Sequence, residues 1–139
     1  IGSEYSTENV SKSTQLNGTG KAIIDSLKIV DKSKTRAVTK YFQDLDKTVS
    51  KTKSILKDNG HAAFVIGNTN YKGVYIDNAK FLMHSFIEKG FTNIVVAKRK
   101  ISSKILTPYR DEKGKFSTDK TGHKVYSHEF VIIAKKPSR

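Results

Sequence analysis

Arg99, Lys104 and Arg110 crowd the start of a polar stretch that holds nine Lys or Arg between Lys98 and Lys124, against Asp111, Glu112 and Asp119. A guanidinium clamps phosphate oxygens with a fork of donors, and an ammonium meets them as a point charge. Tyr109 lies among these cations. Its ring either stacks on a nucleobase, a contact worth roughly 1–3 kcal/mol, or packs back on its own domain. Gly67-Asn68-Thr69 ends a short apolar run and is a second candidate group, although Asn68 also suits a plain turn. Arg36 stands near the start of a long helical pattern, where the dipole disfavours a cation, and so invites a phosphate or carboxylate partner. Glu129 opens the last apolar run and is a candidate partner for a loop arginine, with plain solvation at a strand edge as the alternative.

Other chemistries are missing. The chain has no Cys, which excludes disulfides, zinc-cysteine clusters, iron-sulfur centres and a cysteine nucleophile. His61, His84, His123 and His128 show no metal-ligand spacing, and His84, set between apolar residues, reads as structural. The run GNTNYKG at 67–73 has its glycines at the wrong spacing for a dinucleotide or P-loop fingerprint. No residue is assigned a catalytic, cofactor-binding or metal-binding role from these patterns.

Twenty-six Lys and Arg against thirteen Asp and Glu leave a net charge of +13 over 139 residues, enough for one domain. Such a charge favours a polyanion through counterion release, nucleic acid before an anionic membrane surface, or belongs to a solvated lysine-rich exterior. No apolar run reaches membrane-spanning length and the first residues lack a signal-peptide core, so a cytoplasmic location is expected. The first residue, Ile1, suggests a processed chain or part of something longer.

The elements that must position these residues follow from periodicity. Residues 1–20 are rich in Ser, Thr, Asn and Gly, with a turn at Asn17-Gly18, and residues 1–30 are expected to form a flexible or irregular segment. Within it, Ile23, Ile24 and Leu27 make one short helical face. Residues 31–139 form the folded domain, with a basic loop at 98–125. A helix is predicted over 34–57 from Val38, Tyr41 or Phe42, Leu45, Val49 and Leu56, capped by Ser33 and stopped by Asn59-Gly60, with Gly60 left-handed. The run 61–67 reads as a strand covered on both faces, and 78–89 as a helix with Ala79, Leu82, Met83, Phe86 and Ile87 inward, ended by Gly90. Strands follow at 93–97 and 126–134, the last antiparallel to the one before.

From Arg36 to Lys136, about 100 residues, the chain resembles the carboxyl-terminal half of DNA amino-methyltransferases. The resemblance rests on Arg36 with the helix bearing Tyr41, Phe42 and Leu45. It continues through Leu56-Lys57-Asp58-Asn59-Gly60, where the family has a leucine-lysine-x-glycine-glycine turn, and Val65-Ile66-Gly67-Asn68-Thr69 at the following strand end. Gly73 and Ile76 then precede the helix closed by Gly90-Phe91. Arg99-Lys100-Ile101 with Lys104, Pro108 and Arg110-Asp111 resembles the family's basic loop, and Glu129 opens the final strand. The catalytic proline-proline motif and the glycine-rich cofactor turn are absent.

The resemblance implies a partial Rossmann-like methyltransferase fold: α/β, three layers, and a mixed sheet with an antiparallel final strand pair. It implies transfer of a methyl group from S-adenosylmethionine to N4 of cytosine or N6 of adenine, with a slight lean to cytosine from the stretch Arg99 to Arg110. Gly67, Asn68, Thr69, Arg99, Lys104, Tyr109 and Arg110 would border DNA or the target-base pocket, and Arg36 and Glu129 would be structural or phosphate partners. The chain would begin just after the catalytic motif, belong to a restriction-modification enzyme, bind no cofactor tightly alone and be inactive alone. Its partners would be DNA and the missing amino-terminal half or a complementary subunit, with a homodimer through an exposed sheet edge as another way to protect that edge. A basic α/β nucleic-acid-binding module, or a structural subunit, is the competing reading.

Overall fold

The computed structural model describes residues 16–100 and 128–138, together with the backbone of short strands at 109–110, 116–117 and 123–124. Each of three helices starts at a side chain that accepts from an otherwise unbonded N–H of its first turn. Asn17 Oδ1 accepts from Gly20 N at 3.0 Å and opens α1, Gly18–Val30. Asp31 Oδ1 accepts from Lys34 N at 2.9 Å and opens α2, Lys32–Ile55. Asp77 Oδ1 accepts from Lys80 N at 3.0 Å and opens α3, Asn78–Glu88. Two expectations are corrected here. Residues 18–30 are helical rather than irregular, because the face of Ile23, Ile24 and Leu27 is buried against α2 and α3. The cap of α2 is Asp31 rather than Ser33.

The helix ends show the same economy. Asn59, at φ 66°, takes the left-handed position expected of Gly60. Gly90, at φ 84°, ends α3 as expected. Lys136 Nζ donates to the carbonyls of Lys53 and Leu56, both at 2.7 Å, and so neutralises the negative end of α2. Lys53 Nζ in turn donates to the Lys89 carbonyl behind α3.

The main sheet has the order β1-β8-β4, from β1 His61–Ile66, β4 Thr92–Lys100 and β8 His128–Lys135. The final strand lies in the middle, antiparallel to both neighbours, so β1 and β4 run the same way. A bulge at the start of β4 places an extra residue between Thr92 and Val95, with Asn93 at φ 51°. The link from β1 to α3 contains an unforeseen hairpin, β2 Thr69–Tyr71 and β3 Val74–Ile76. Lys72 (φ 47°) and Gly73 (φ 82°) form its tip, the two-residue turn with both residues left-handed that matches strand twist. The stretch read as a plain loop holds a second small sheet of β5 Tyr109–Arg110, β6 Phe116–Ser117 and β7 His123–Lys124, with β5 central.

Helices α2 and α3 cover one face of the main sheet. Val49, Ala79, Leu82 and Phe86 pack on Ala62, Ile66, Ile132 and Ala134, joined by Phe91. A second cluster fixes α1 and the hairpin to the helices, and in it Phe42 and Phe81 stack with ring centroids 4.2 Å apart. Serving both clusters rotates α3. Phe81 and Ser85 are fully buried, Met83 is only half-buried and Ile87 is 53% exposed, against the inward stripe expected. No described element covers the other face of the sheet, where Ala63 and Val65 are exposed and Val131 and Ile133 half-buried, so the described residues form two layers rather than three and the reading of 61–67 as a strand covered on both sides is corrected to that extent. Burial along β1 alternates, with Ala63 and Val65 outward.

Candidate functional site

Asn68 stands at the end of β1 and spends most of its hydrogen-bonding capacity inside the fold. Its Nδ2 donates to Tyr75 Oη at 2.7 Å and to Asp77 Oδ1 at 2.8 Å, and its Oδ1 accepts from Ala79 N at 2.9 Å. Both amide donors are therefore used. Gly67 contributes its carbonyl, which accepts from Asn78 Nδ2 at 3.0 Å. The loop thus stitches the end of β1 to the start of α3, as a turn-forming Asn would. Asn78 Oδ1 is buried without a hydrogen-bond partner among the described residues. Thr69 begins the hairpin and is half-buried.

Arg99 and Glu129 face each other directly across β4 and β8 and form an ion pair on the bare side of the sheet. The guanidinium is 64% exposed, leaving donors for a second anion. Arg36 is exposed on the second turn of α2, with no acidic partner among the described residues. Tyr109 and Arg110 lie on β5, paired in register with Ser117 and Phe116 on one side and Lys124 and His123 on the other. The side chains of Tyr109 and Arg110, and all of Lys104, lie outside the described residues. Of the sequence candidates, the structure brings together Arg99 with Glu129, and Gly67 with Asn68.

The positive charge is partly committed to the fold. Lys89 meets Asp46 at 2.6 Å, Lys40 meets Asp44 at 2.6 Å, and Lys136 and Lys53 cap helices. Lys47, Lys51, Lys98 and Lys100 are exposed with no acidic partner among the described residues. His84 is structural, with Nδ1 2.7 Å from Thr19 Oγ1, which ties α3 to α1. No cluster of three His, Asp or Glu suited to a metal occurs among the described residues, and no described helix is long and apolar enough to cross a membrane.

One polar cluster escaped the sequence reading. Tyr71 Oη donates to Asp31 Oδ2 at 2.7 Å, and Lys34 and Lys72 lie 4.8 Å and 5.5 Å from the centroid of its ring. The backbone N–H of Lys34, and then the Tyr71 hydroxyl, hold the Asp31 carboxyl below its ordinary range. The same hydrogen bond to Asp31, followed by burial, pushes the Tyr71 phenol up. The available signals were Asp31 at a helix boundary and a Tyr-Lys-Gly hairpin tip, but nothing local joins residues 40 positions apart.

Comparison with protein-family models, with curated proteins and with solved structures finds no match to this chain.

Proposed function

We propose that the chain is the carboxyl-terminal part of a site-specific DNA methyltransferase acting on an exocyclic amine, N4 of cytosine or N6 of adenine, and that it is inactive until its complementary part supplies the catalytic and cofactor motifs. The observation that carries this reading is the unfinished sheet. An antiparallel final strand agrees with what the sequence resemblance implies, while among the described residues β1 pairs on one side only and no element covers the face opposite α2 and α3. The uncommitted cations, with Arg99 at the carboxyl end of β4, support DNA as the second partner.

The described residues do not fit S-adenosylmethionine. A nucleoside cofactor needs a close backbone approach at a glycine-rich turn and an acidic side chain for the ribose. The groove of about 280 Å³ beside α1, lined by Ala22, Ile23, Ser26, Gly73, Val74 and Tyr75, has no acidic lining residue. No chemical step is therefore routed through this chain alone.

Titration of duplex DNA at two salt concentrations tests the DNA half of the reading, with weak binding that falls steeply as salt rises as the expected result. A radiolabelled methyl-transfer assay should give background counts for the chain alone and turnover once the complementary polypeptide is added. Salt-sensitive binding without turnover in any complex would favour a nucleic-acid-binding module with no enzymatic role.

A further inference from the structure

We propose that the outer edge of β1 and the bare sheet face beside it together seat an acidic polypeptide partner, which adds a strand along β1 and lays an apolar surface over Ala63, Val65, Val95, Ala97, Val131 and Ile133. The identity of this partner as the complementary part of the enzyme rests on the reading above. Its place and chemistry rest on the geometry.

The two edges of the sheet are treated differently. The β4 edge is guarded by a bulge with left-handed Asn93 and by the run Lys98-Arg99-Lys100, devices that prevent strand addition. The β1 edge, His61-Ala62-Ala63-Phe64-Val65-Ile66, has no Lys, Pro or bulge, and among the described residues it pairs only with β8. An unguarded edge of six residues is a template for another strand.

The face points to the same occupant. Register puts Ala63, Ile133 and Val95 in one cross-strand row and Val65, Val131 and Ala97 in the next. Val65 is 62% exposed and Val95 54%, so the rows form an apolar block that water wets poorly. One end of the block is bounded by His61 and Lys135, which are register partners, and the other by Arg99 and Glu129. The single carboxylate among the strand residues of this face, Glu129, is already paired with Arg99. A cover carrying acidic groups over His61 and Lys135 complements this border.

A second copy does not. It brings another +13 of charge, and two-fold pairing of β1 with itself leaves both bare faces on the same side, enlarging the apolar block instead of covering it.

The absence of native Cys makes the test direct. V65C, V95C and, as a control on the exposed side of α2, S50C are labelled with maleimide, in the isolated chain and in co-expression with the polypeptide encoded immediately upstream. All three should react readily in the isolated chain. In the complex the rates at V65C and V95C should fall roughly tenfold at about nine-tenths occupancy, while S50C is unchanged. V65R should abolish the association and leave the thermal stability of the isolated chain unchanged.

Equal labelling of all three cysteines in the complex, failure of the polypeptides to associate, or association that survives V65R would overturn the proposal. So would a dimer of the isolated chain with V65C already protected, since the occupant would then be a second copy. Protection without methyl transfer keeps the seat and removes the methyltransferase reading. Methyl transfer with V65C unprotected does the reverse.

Discussion

Arg99 and Glu129 are direct cross-strand partners at the end of the sheet where β4 and β8 meet the basic stretch between them. An exposed pair of this kind contributes about 0–1 kcal/mol, so R99A and E129A should each lower thermal stability only slightly. In DNA titrations R99A should weaken binding and reduce the slope of log affinity against log salt by about one, while K80A on α3 leaves it unchanged. Equal slopes for R99A and the parent chain would make Arg99 a structural partner of Glu129 alone. If the proposed methyltransferase assembly forms, R99A should lower its methyl transfer far more than its stability.

Asn68 links Tyr75, Asp77 and the Ala79 amide, so N68A should destabilise the fold by roughly 1–3 kcal/mol. N68D is the sharper test. It replaces a donor to Asp77 with a second carboxylate, so its deficit relative to N68A should shrink as pH falls to about 4, where carboxyls protonate. Melting temperatures of the three proteins between neutral and acid pH would show this. A pH-independent difference between N68D and N68A would mean that the introduced carboxylate does not face Asp77.

Gly20 lies inside α1, where Ala would ordinarily add about 0.5–1 kcal/mol of stability. A Cβ there would stand 2.8 and 2.9 Å from Cε2 and Cδ2 of Phe81, whose ring is held by its stack on Phe42. G20A should therefore destabilise, by about 1–3 kcal/mol. Denaturant unfolding decides the sign, and a stabilised G20A would show that α1 and α3 can shift apart freely.

The Asp31–Tyr71 contact makes stability depend on pH at both extremes. Asp31 has a lowered folded pKa, so its contribution is present above the ordinary carboxylate range and is lost as pH falls through the lowered value. Tyr71 has a raised folded pKa, so its contribution is present below the ordinary phenol range and is lost as pH rises through the raised value. Y71F removes the hydrogen bond and should flatten the alkaline loss and lessen the acid one. Unchanged pH profiles of melting temperature would count against the contact.

The amino-acid sequence determined what short-range physics can decide. The helices at 34–57 and 78–89, the stop at Gly90, three apolar strand runs and the cationic stretch after β4 were legible, because 3.6- and 2-residue periodicities and turn residues act within a few positions, whereas the helix at 18–30 was read as an irregular segment. The cap of α2 was misplaced, at Ser33 instead of Asp31, because both residue types can accept from a first-turn N–H and the corner between α1 and α2 decides which one does. What only the tertiary structure decided was non-local. Whether HAAFVI is covered on one face or two depends on which layers exist to cover it, and the run of apolar letters is the same in both cases. That β8 lies between β1 and β4, that Asn68 is consumed by α3, and that Lys136 closes α2 all join residues far apart in the chain. Such pairings are selected by the net free energy of burial across the whole domain, and no local spacing encodes it.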